Sequence, residues 1–193
     1  GLVYLLWCGG WRDGHSPATL TAIAQTLVRF RAHRLVIESN FGDGMFTALL
    51  QPYVIEAWEK ANKVRDRNKP RAEAGGTVLE EVRSGQVQKE KRMLSVLEPV
   101  TQAHRLVVNV EAVEQDYESI AKNLEDGEDG RHRYGLFYQF THLTRERDSL
   151  SRDDRLESLA IAVAQFAEVL GVNPLGMSRN REEERIEEEL EAL

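Results

Sequence analysis

The fold is organised around the stretch RLVIESNFGDGMF, which covers residues 34–46. Leu35 to Ile37 are apolar and include two β-branched residues, which is typical of a short buried strand. The strand ends on a carboxylate, Glu38. A tight loop over residues 39–42 follows, and Asp43 is then placed to cap a helix. Open α/β sheets bind ligands at the carboxyl ends of their strands. Glu38 is therefore a candidate site residue, and the alternative is that it is only a solvated strand end.

A pair of adjacent acids, Asp153 and Asp154, begins the last strongly apolar segment, residues 156–170. Acids at a helix start are common as caps and as partners of the helix dipole. They are also what a divalent-metal nuclease needs, because Mg²⁺ takes oxygen ligands from a few carboxylates and keeps water and phosphate for its other positions. Both interpretations stay open from the position of the pair alone.

Three stretches, taken in order, resemble the nuclease domain of the large terminase subunits of tailed phages. They are RLVIESNFGDGMF at 34–46, QKEKRMLSVLEPVTQAHRLVV at 88–108 and FYQFTHLTRERDSLSRDDRLESLAIAVAQF at 137–166. The string ESNFGDGMF followed at this distance by DDRLESLAIA is a far more specific signal than an isolated acid pair. Residues 1–20 resemble the second strand and first helix of the family more loosely.

The resemblance implies an α/β fold, the ribonuclease-H-like three-layer arrangement with a mixed central sheet flanked by helices. It also implies a DNA endonuclease that cuts concatemeric DNA during genome packaging, using two Mg²⁺ or Mn²⁺ ions held by three carboxylate positions. Glu38 matches the second position, and Asp153 or Asp154 matches the third. These three are the expected catalytic and metal-binding residues. The first position is expected on a strand upstream of residue 1.

The partners that the resemblance implies are double-stranded DNA, the phage portal, the small terminase subunit and the ATPase domain of the full-length protein. The sequence has no G-x-x-x-x-G-K-[ST] phosphate loop, so we expect an amino-terminally truncated nuclease part.

Arg152 and Glu157 stand where the family often has His and Asp. Lys89, Lys91 and Arg92 cluster at a predicted helix start and are candidate contacts to DNA phosphate, the alternative being a solvated helix face.

Length, charge and cysteine content set broader limits. The 193 residues fit one domain plus tails. We expect a nuclease domain over 1–177, lacking its first strand, and a charged helical or disordered tail over 178–193. One cysteine, Cys8, excludes an internal disulfide, and no apolar run is long enough to span a membrane, which is compatible with the host cytoplasm. The net charge of −7 does not indicate nucleic-acid binding, although bound metals supply local positive charge.

Predicted strands and helices alternate along the rest of the chain. Strands are predicted at 2–7, 35–37, 77–82 and 106–110. Helices are predicted from Ser16–Pro17 to His33, from Asp43 with a break or kink at Pro52, and over 86–103, 111–124, 134–143 and 154–170. Residues 60–74 are expected to form a helix end and a mobile loop, and residues 125–133 a polar loop. Helical spacing predicts inward faces at Met93, Leu94 and Leu97, and one apolar face at Val113, Tyr117 and Ile120.

Two other hypotheses stay open. One is an inactive remnant or docking module that binds DNA or the portal without cutting, because the first-strand acid is missing. The other is a different ribonuclease-H-like enzyme, such as a junction resolvase or transposase, against which the string ESNFGDGMF argues. The five histidines have no zinc-ligand spacing, and no G-x-S-x-G nucleophile motif occurs.

Overall fold

The structure is a computed structural model that describes residues 1–11, 13–38, 44–64, 76–83, 88–121 and 130–170. Within these ranges strands and helices alternate along the chain, as predicted. The strands are β1 (Val3–Leu5), β2 (Arg34–Glu38), β3 (Val78–Val82) and β4 (Leu106–Val108). The helices are α1 (Pro17–Arg29), α2 (Met45–Val64), α3 (Lys89–Gln102), α4 (Val110–Ala121), α5 (Leu136–His142), α6 (Asp154–Ala164) and α7 (Ala167–Leu170), with a 3₁₀ helix at Arg131–Tyr134.

The chain divides into two compact units. The first unit comprises residues 1–10 and 87–193, and the second unit comprises residues 11–86. Each unit contains one pair of parallel strands joined through helices, which is the arrangement of an α/β protein. The domain bounds expected at 1–177 and 178–193 stay a prediction, since residues 171–193 lie outside the described ranges.

The second unit is built on β2 and β3, whose parallel register runs from Arg34 opposite Val78 to Glu38 opposite Val82. One face of the strand pair packs against α1 and α2, because alternate strand residues point to the same face. The buried core residues of this unit are Leu20, Ala24, Leu27, Leu50, Val54 and Trp58. Leu20, Ala24 and Leu27 thus form the buried face of α1.

Local sequence explains both ends of α1. The hydroxyl of Ser16 accepts a hydrogen bond from the backbone N–H of Thr19 at 3.2 Å, so the predicted cap is confirmed. The helix ends at Arg29, earlier than the predicted end at His33. The reason is Arg31, whose left-handed φ of 48° turns the chain out of the helix.

Pro52 does not break α2, which runs continuously from Met45 to Val64. Proline removes one backbone donor from a helix. Here the buried side chains of Leu50 and Val54, before and after the proline, anchor both halves of α2 in the same core. The predicted loop at 39–42, the Asp43 cap and residues 65–74 of the predicted mobile loop lie outside the described residues.

The first unit is built on β1 and β4, with Val3 opposite Leu106 and Leu5 opposite Val108. Residues on one face of this pair pack against a core formed mainly by α3 and α6. The buried residues of that core are Met93, Val96, Leu97, Val100, Leu136, Leu156, Leu159, Ala160, Val163 and Leu170. The inward face predicted for α3 is confirmed at Met93 and Leu97, whereas Leu94 is half-buried.

The apolar face predicted for α4 is confirmed at Ile120 and wrong at Val113 and Tyr117. The buried residues are Ala112, Asp116 and Ile120, while Val113 and Tyr117 are exposed, Tyr117 by 70%. The prediction assumed that the apolar residues face the core. A polar residue is inside instead, because Asp116 finds a charged partner and backbone donors in the interior.

Two further elements differ from prediction. The helix expected over 154–170 is interrupted, since α6 ends at Ala164 and α7 begins at Ala167. Part of the expected polar loop at 125–133 belongs to the 3₁₀ helix at Arg131–Tyr134, and residues 122–129 lie outside the described part. Across the described ranges, no helix combines the length and apolarity needed to cross a membrane.

Candidate active site

Glu38 is the last residue of β2 and is half-buried at the carboxyl edge of the second unit's strand pair. A second acid, Glu81, lies near the same edge on β3, opposite Ile37. Its carboxylate accepts a hydrogen bond from Thr47. Because side chains alternate along a strand, Glu81 shares the face of Ile37 and Glu38 lies on the other face. The two acids therefore share an edge without forming one cluster.

Asp153 occupies the N-cap position of α6, but its side chain makes no capping hydrogen bond. The buried side chain of Gln139, on α5, supplies the cap. Its Oε1 accepts from the backbone N–H of Leu156 at 3.0 Å, and its amide donates to the carbonyl of Arg133 at 3.0 Å. Capping does not explain the acid pair at this helix start. The carboxylate of Asp153 is left for other contacts, and Asp154 is exposed.

A cation from α3 takes the place of a capping contact at Asp153. The Lys89 ammonium donates to Asp153 Oδ1 at 2.8 Å and contacts Glu157 Oε2 at 2.7 Å. Arg92, one helical turn further along α3, donates to the other oxygen of Glu157. Partial burial lowers the pKa of Lys89, but the hydrogen bonds that its ammonium donates to Asp153 and Glu157 outweigh that effect and leave its pKa above the usual value.

The same turn of α3 also holds the segment that precedes Asp153. Glu90 is buried, and its Oε1 accepts from the backbone N–H of Asp148 at 2.8 Å. Asp148 adopts a left-handed φ of 56°, which is uncommon for a residue with a side chain. The hydrogen bond that Glu90 accepts therefore ties a tight turn, five residues before Asp153, to the start of α3.

A buried ion pair joins the first turn of α6 to α4. Arg155, directly after the acid pair, donates to Asp116 Oδ1. Asp116 also accepts from the backbone N–H of Leu136 at 3.0 Å and of Phe137 at 3.4 Å, so it caps α5. One buried carboxylate on α4 thus contacts the starts of α5 and α6.

Cys8 lies at the edge of this ion pair. Its thiol donates to Asp116 Oδ1 at 3.6 Å. Burial raises the pKa of the thiol to about 12, and the negative charge of Asp116 adds to the effect. A thiol with this pKa stays protonated near neutral pH and is therefore a poor nucleophile.

The donor chemistry at the start of α6 fits a hard divalent cation. Asp153 and Asp154 offer carboxylate oxygens, which Mg²⁺ and Mn²⁺ prefer, whereas both oxygens of Glu157 are held by Lys89 and Arg92. In the described ranges, however, no three His, Cys, Asp or Glu side chains converge as a metal site would require. Asp153 and Asp154 can supply part of a metal site, and further ligands are needed to complete it.

The six residues singled out in the sequence fall into different surroundings. Glu38 belongs to the second unit and the acid pair to the first, so their predicted proximity stays a prediction. Lys89 and Arg92 contact carboxylates, and Lys91 is exposed on the same helix. DNA phosphate contacts by these three cations stay a prediction.

Sequence reasoning missed the polar residues that position the acid pair. These are Gln139, Glu90, Asp116 and Arg155. Gln139 carried a usable signal, because it is a lone uncharged polar residue within the aromatic stretch FYQF. Asp116 carried none, since its buried partners come from segments far away in sequence.

Comparison with known proteins identifies the family. The family model for the ribonuclease-H-like domain of the bacteriophage T7 terminase matches residues 1–106. The terminase large subunit of Enterobacteria phage T3 is 33% identical over 193 residues, 99% of this chain and 29% of the phage protein. The chain therefore spans less than a third of that relative's length. It belongs to the family of phage terminase ribonuclease-H-like domains.

Proposed function

We propose that this domain is a metal-dependent endonuclease of a terminase large subunit and cuts concatemeric double-stranded DNA during genome packaging. One observation supports this most directly. Asp153 stands at a helix start, yet Gln139 caps the helix in its place, so the Asp153 carboxylate has no capping role. In a ribonuclease-H-like domain, an acid that does not cap its helix at this position is a candidate metal ligand.

The proposed metal ligands are Glu38, Asp153 and Asp154. When bound, Mg²⁺ or Mn²⁺ would activate the attacking water and stabilise the leaving oxygen of the phosphodiester. The chain's own residues hold the acid pair: Gln139 caps α6, and Arg155 anchors its first turn to Asp116. These contacts keep both aspartates at a defined helix start, as a site for in-line hydrolysis requires.

The proposed setting is the cytoplasm of a phage-infected host. The proposed partners are DNA, the portal, the small terminase subunit and the ATPase domain of the whole large subunit. The resemblance puts one further acid on a strand upstream of residue 1. We therefore expect this chain alone to bind Mn²⁺ weakly and to cut DNA poorly, because its site has fewer charged oxygens than the complete one.

The test is a plasmid cleavage assay with Mg²⁺ or Mn²⁺. Two proteins are compared: this chain, and the chain extended at its amino end by the segment that precedes the matching region in the phage T3 relative. The extended protein should nick and linearise plasmid. Glu38→Ala or the double change Asp153→Ala with Asp154→Ala should lower its rate by about 100-fold or more, since a metal contributes several kcal/mol to the transition state.

The matched control is Glu114→Ala, which removes an exposed acid from α4 and should leave the rate unchanged. Equal rates for the short and extended proteins would show that the upstream acid is unnecessary. Full activity without both aspartates would show that the third carboxylate position has been misassigned.

A second candidate function is a docking module that binds DNA or the portal without cutting. The observation that favours it is the neutralisation of Asp153 and Glu157 by Lys89 and Arg92 in the described part of the chain. Fluorescence anisotropy with labelled duplex DNA separates the two functions. DNA binding by the extended protein, with no cleavage in either metal, would support the docking module and refute the endonuclease.

A further inference from the structure

Lys89 stands where a divalent cation would approach Asp153. Its ammonium lies 2.8 Å from Asp153 Oδ1 and 2.7 Å from Glu157 Oε2. An Mg²⁺–oxygen bond is about 2.1 Å long, so a metal ion on the same carboxylate oxygen would lie within about 5 Å of the ammonium and be repelled by it. Even on the other oxygen of Asp153, a metal ion would lie close to the ammonium and be repelled by it.

The two carboxylates that share Lys89 are not equivalent. The side chain of Glu157 is 7% exposed, and Arg92 contacts its other oxygen. The side chain of Asp153 is 20% exposed, and Lys89 is its ion-pair partner among the described residues. When Lys89 releases Asp153, no buried carboxylate is left without a cation. Arg92 still contacts the buried Glu157, and the side chain of Asp153 is partly exposed to solvent.

We propose that Lys89 is a built-in competitor for the divalent cation at Asp153. In the absence of a metal, the ammonium neutralises Asp153 and holds it towards α3. Binding of a divalent cation releases Asp153 from Lys89, while Lys89 keeps its contact with Glu157. The proposal rests on the proposed function, because it takes Asp153 to be a metal ligand. It adds that the competition sets the metal affinity of the site.

The first test is calorimetry of Mn²⁺ binding to this chain and its variants. Lys89→Met removes the competing charge and should lower the Kd for Mn²⁺ by about tenfold, the order expected for repulsion between a divalent and a monovalent ion about 5 Å apart in water. Lys89→Arg keeps the charge and should leave the Kd within about a factor of two. Circular dichroism confirms that each variant is folded.

Lys91→Met is the matched control, since it removes the same charge from an exposed position on the same helix. Its Kd for Mn²⁺ should stay within about a factor of two of the unsubstituted chain. If Lys91→Met raised the Mn²⁺ affinity as much as Lys89→Met, the gain would come from the change in net charge and not from competition at Asp153. That result would overturn the proposal. So would an unchanged or higher Kd for Lys89→Met.

A second test uses the unsubstituted chain. An amine-reactive reagent is added with and without Mg²⁺, and the modification of each lysine is measured by mass spectrometry after digestion with chymotrypsin. Lys89 should be protected without Mg²⁺ and become several-fold more reactive with it, while Lys91 stays equally reactive. If Mg²⁺ does not change the reactivity of Lys89, the proposal is overturned. This test needs no substitution, so it holds even where Lys89→Met fails to fold.

Asp153→Ala separates this inference from the proposed function. If Asp153→Ala leaves Mn²⁺ affinity unchanged, Asp153 is not a ligand, and both the metal site and the competition fail. If Asp153→Ala weakens binding while Lys89→Met does not strengthen it, the metal site stands and the competition alone is wrong.

Discussion

Arg155 lies against the carboxylate of Asp116, and both side chains are almost completely buried, with 13% and 5% of their surface exposed. The two residues are 39 positions apart in sequence. The pair links the first turn of α6, where the candidate metal ligands stand, to α4 and to the start of α5. The pair therefore ties the helix start that holds Asp153 and Asp154 to α4.

Arg155→Met should destabilise the chain by about 3–5 kcal/mol, because it leaves the buried Asp116 carboxylate without its charged partner. Urea unfolding followed by circular dichroism measures the loss. The matched control is Glu80→Gln, which breaks the exposed pair with Arg34 and should cost less than about 1 kcal/mol. Equal effects of the two substitutions would show that the Asp116 pair contributes no more than a surface contact.

Cys8 should make the stability fall at alkaline pH. Its folded pKa, about 12, is above that of an unfolded thiol, about 8.5. The stabilisation is therefore complete below the unfolded value and is lost as the pH rises towards the folded one. Between pH 8 and pH 10.5, the chain should lose about 2–3 kcal/mol more than Cys8→Ala does. The midpoints of urea unfolding at both pH values measure these losses of stability. Equal losses for the unsubstituted chain and Cys8→Ala would contradict a raised pKa of the thiol.

Glu90→Gln should destabilise the chain at neutral pH by about 1–3 kcal/mol, because the charge-assisted hydrogen bond to Asp148 is lost from a buried position. Burial raises the pKa of Glu90, but backbone N–H groups, including that of Asp148, hold it below its usual value. The stabilisation is thus present above the ordinary glutamate pKa and is lost as the pH falls through the lowered one.

The difference between Glu90→Gln and the unsubstituted chain should therefore shrink in acid. Thermal unfolding of both proteins at pH 7 and near pH 3 measures this difference in stability with Glu90 charged and in acid. Glu114→Gln, which changes an exposed acid on α4, should show no such difference at either pH. A constant difference across the range would mean that packing, and not the charge of Glu90, holds the turn.

Gly44→Ala should cost about 1–2 kcal/mol. Gly44 has a φ of 87°, which a residue with a Cβ adopts only with strain. An added Cβ would meet Glu81 Oε1 at an ordinary contact distance of 3.5 Å, so the cost comes from the backbone and not from crowding. Gly14→Ala is the control, since nothing lies within 4 Å of its added Cβ. Differential scanning fluorimetry should show a lower Tm for Gly44→Ala only.

The sequence by itself determined the family, the alternation of strands and helices, and the candidate acids. These features are local or periodic. A run of β-branched residues predicts β2, Ser16 predicts the start of α1, and the order of the motifs from Arg34 to Phe166 indicates the terminase nuclease domain. The comparisons confirm the terminase family and its ribonuclease-H-like fold. The joining of Glu38 and the acid pair into one metal site stays a prediction.

Only the tertiary structure decided what the charged residues do. Lys89 is a predicted contact to DNA phosphate, and Asp153 is a predicted metal ligand. The two residues are 64 positions apart, and no local sequence pattern predicts that they form an ion pair. The same holds for Gln139, which caps a helix 17 positions away, and for Asp116, which is buried on α4 although it is charged. A buried polar group needs partners with the right geometry, and the fold alone brings those partners together.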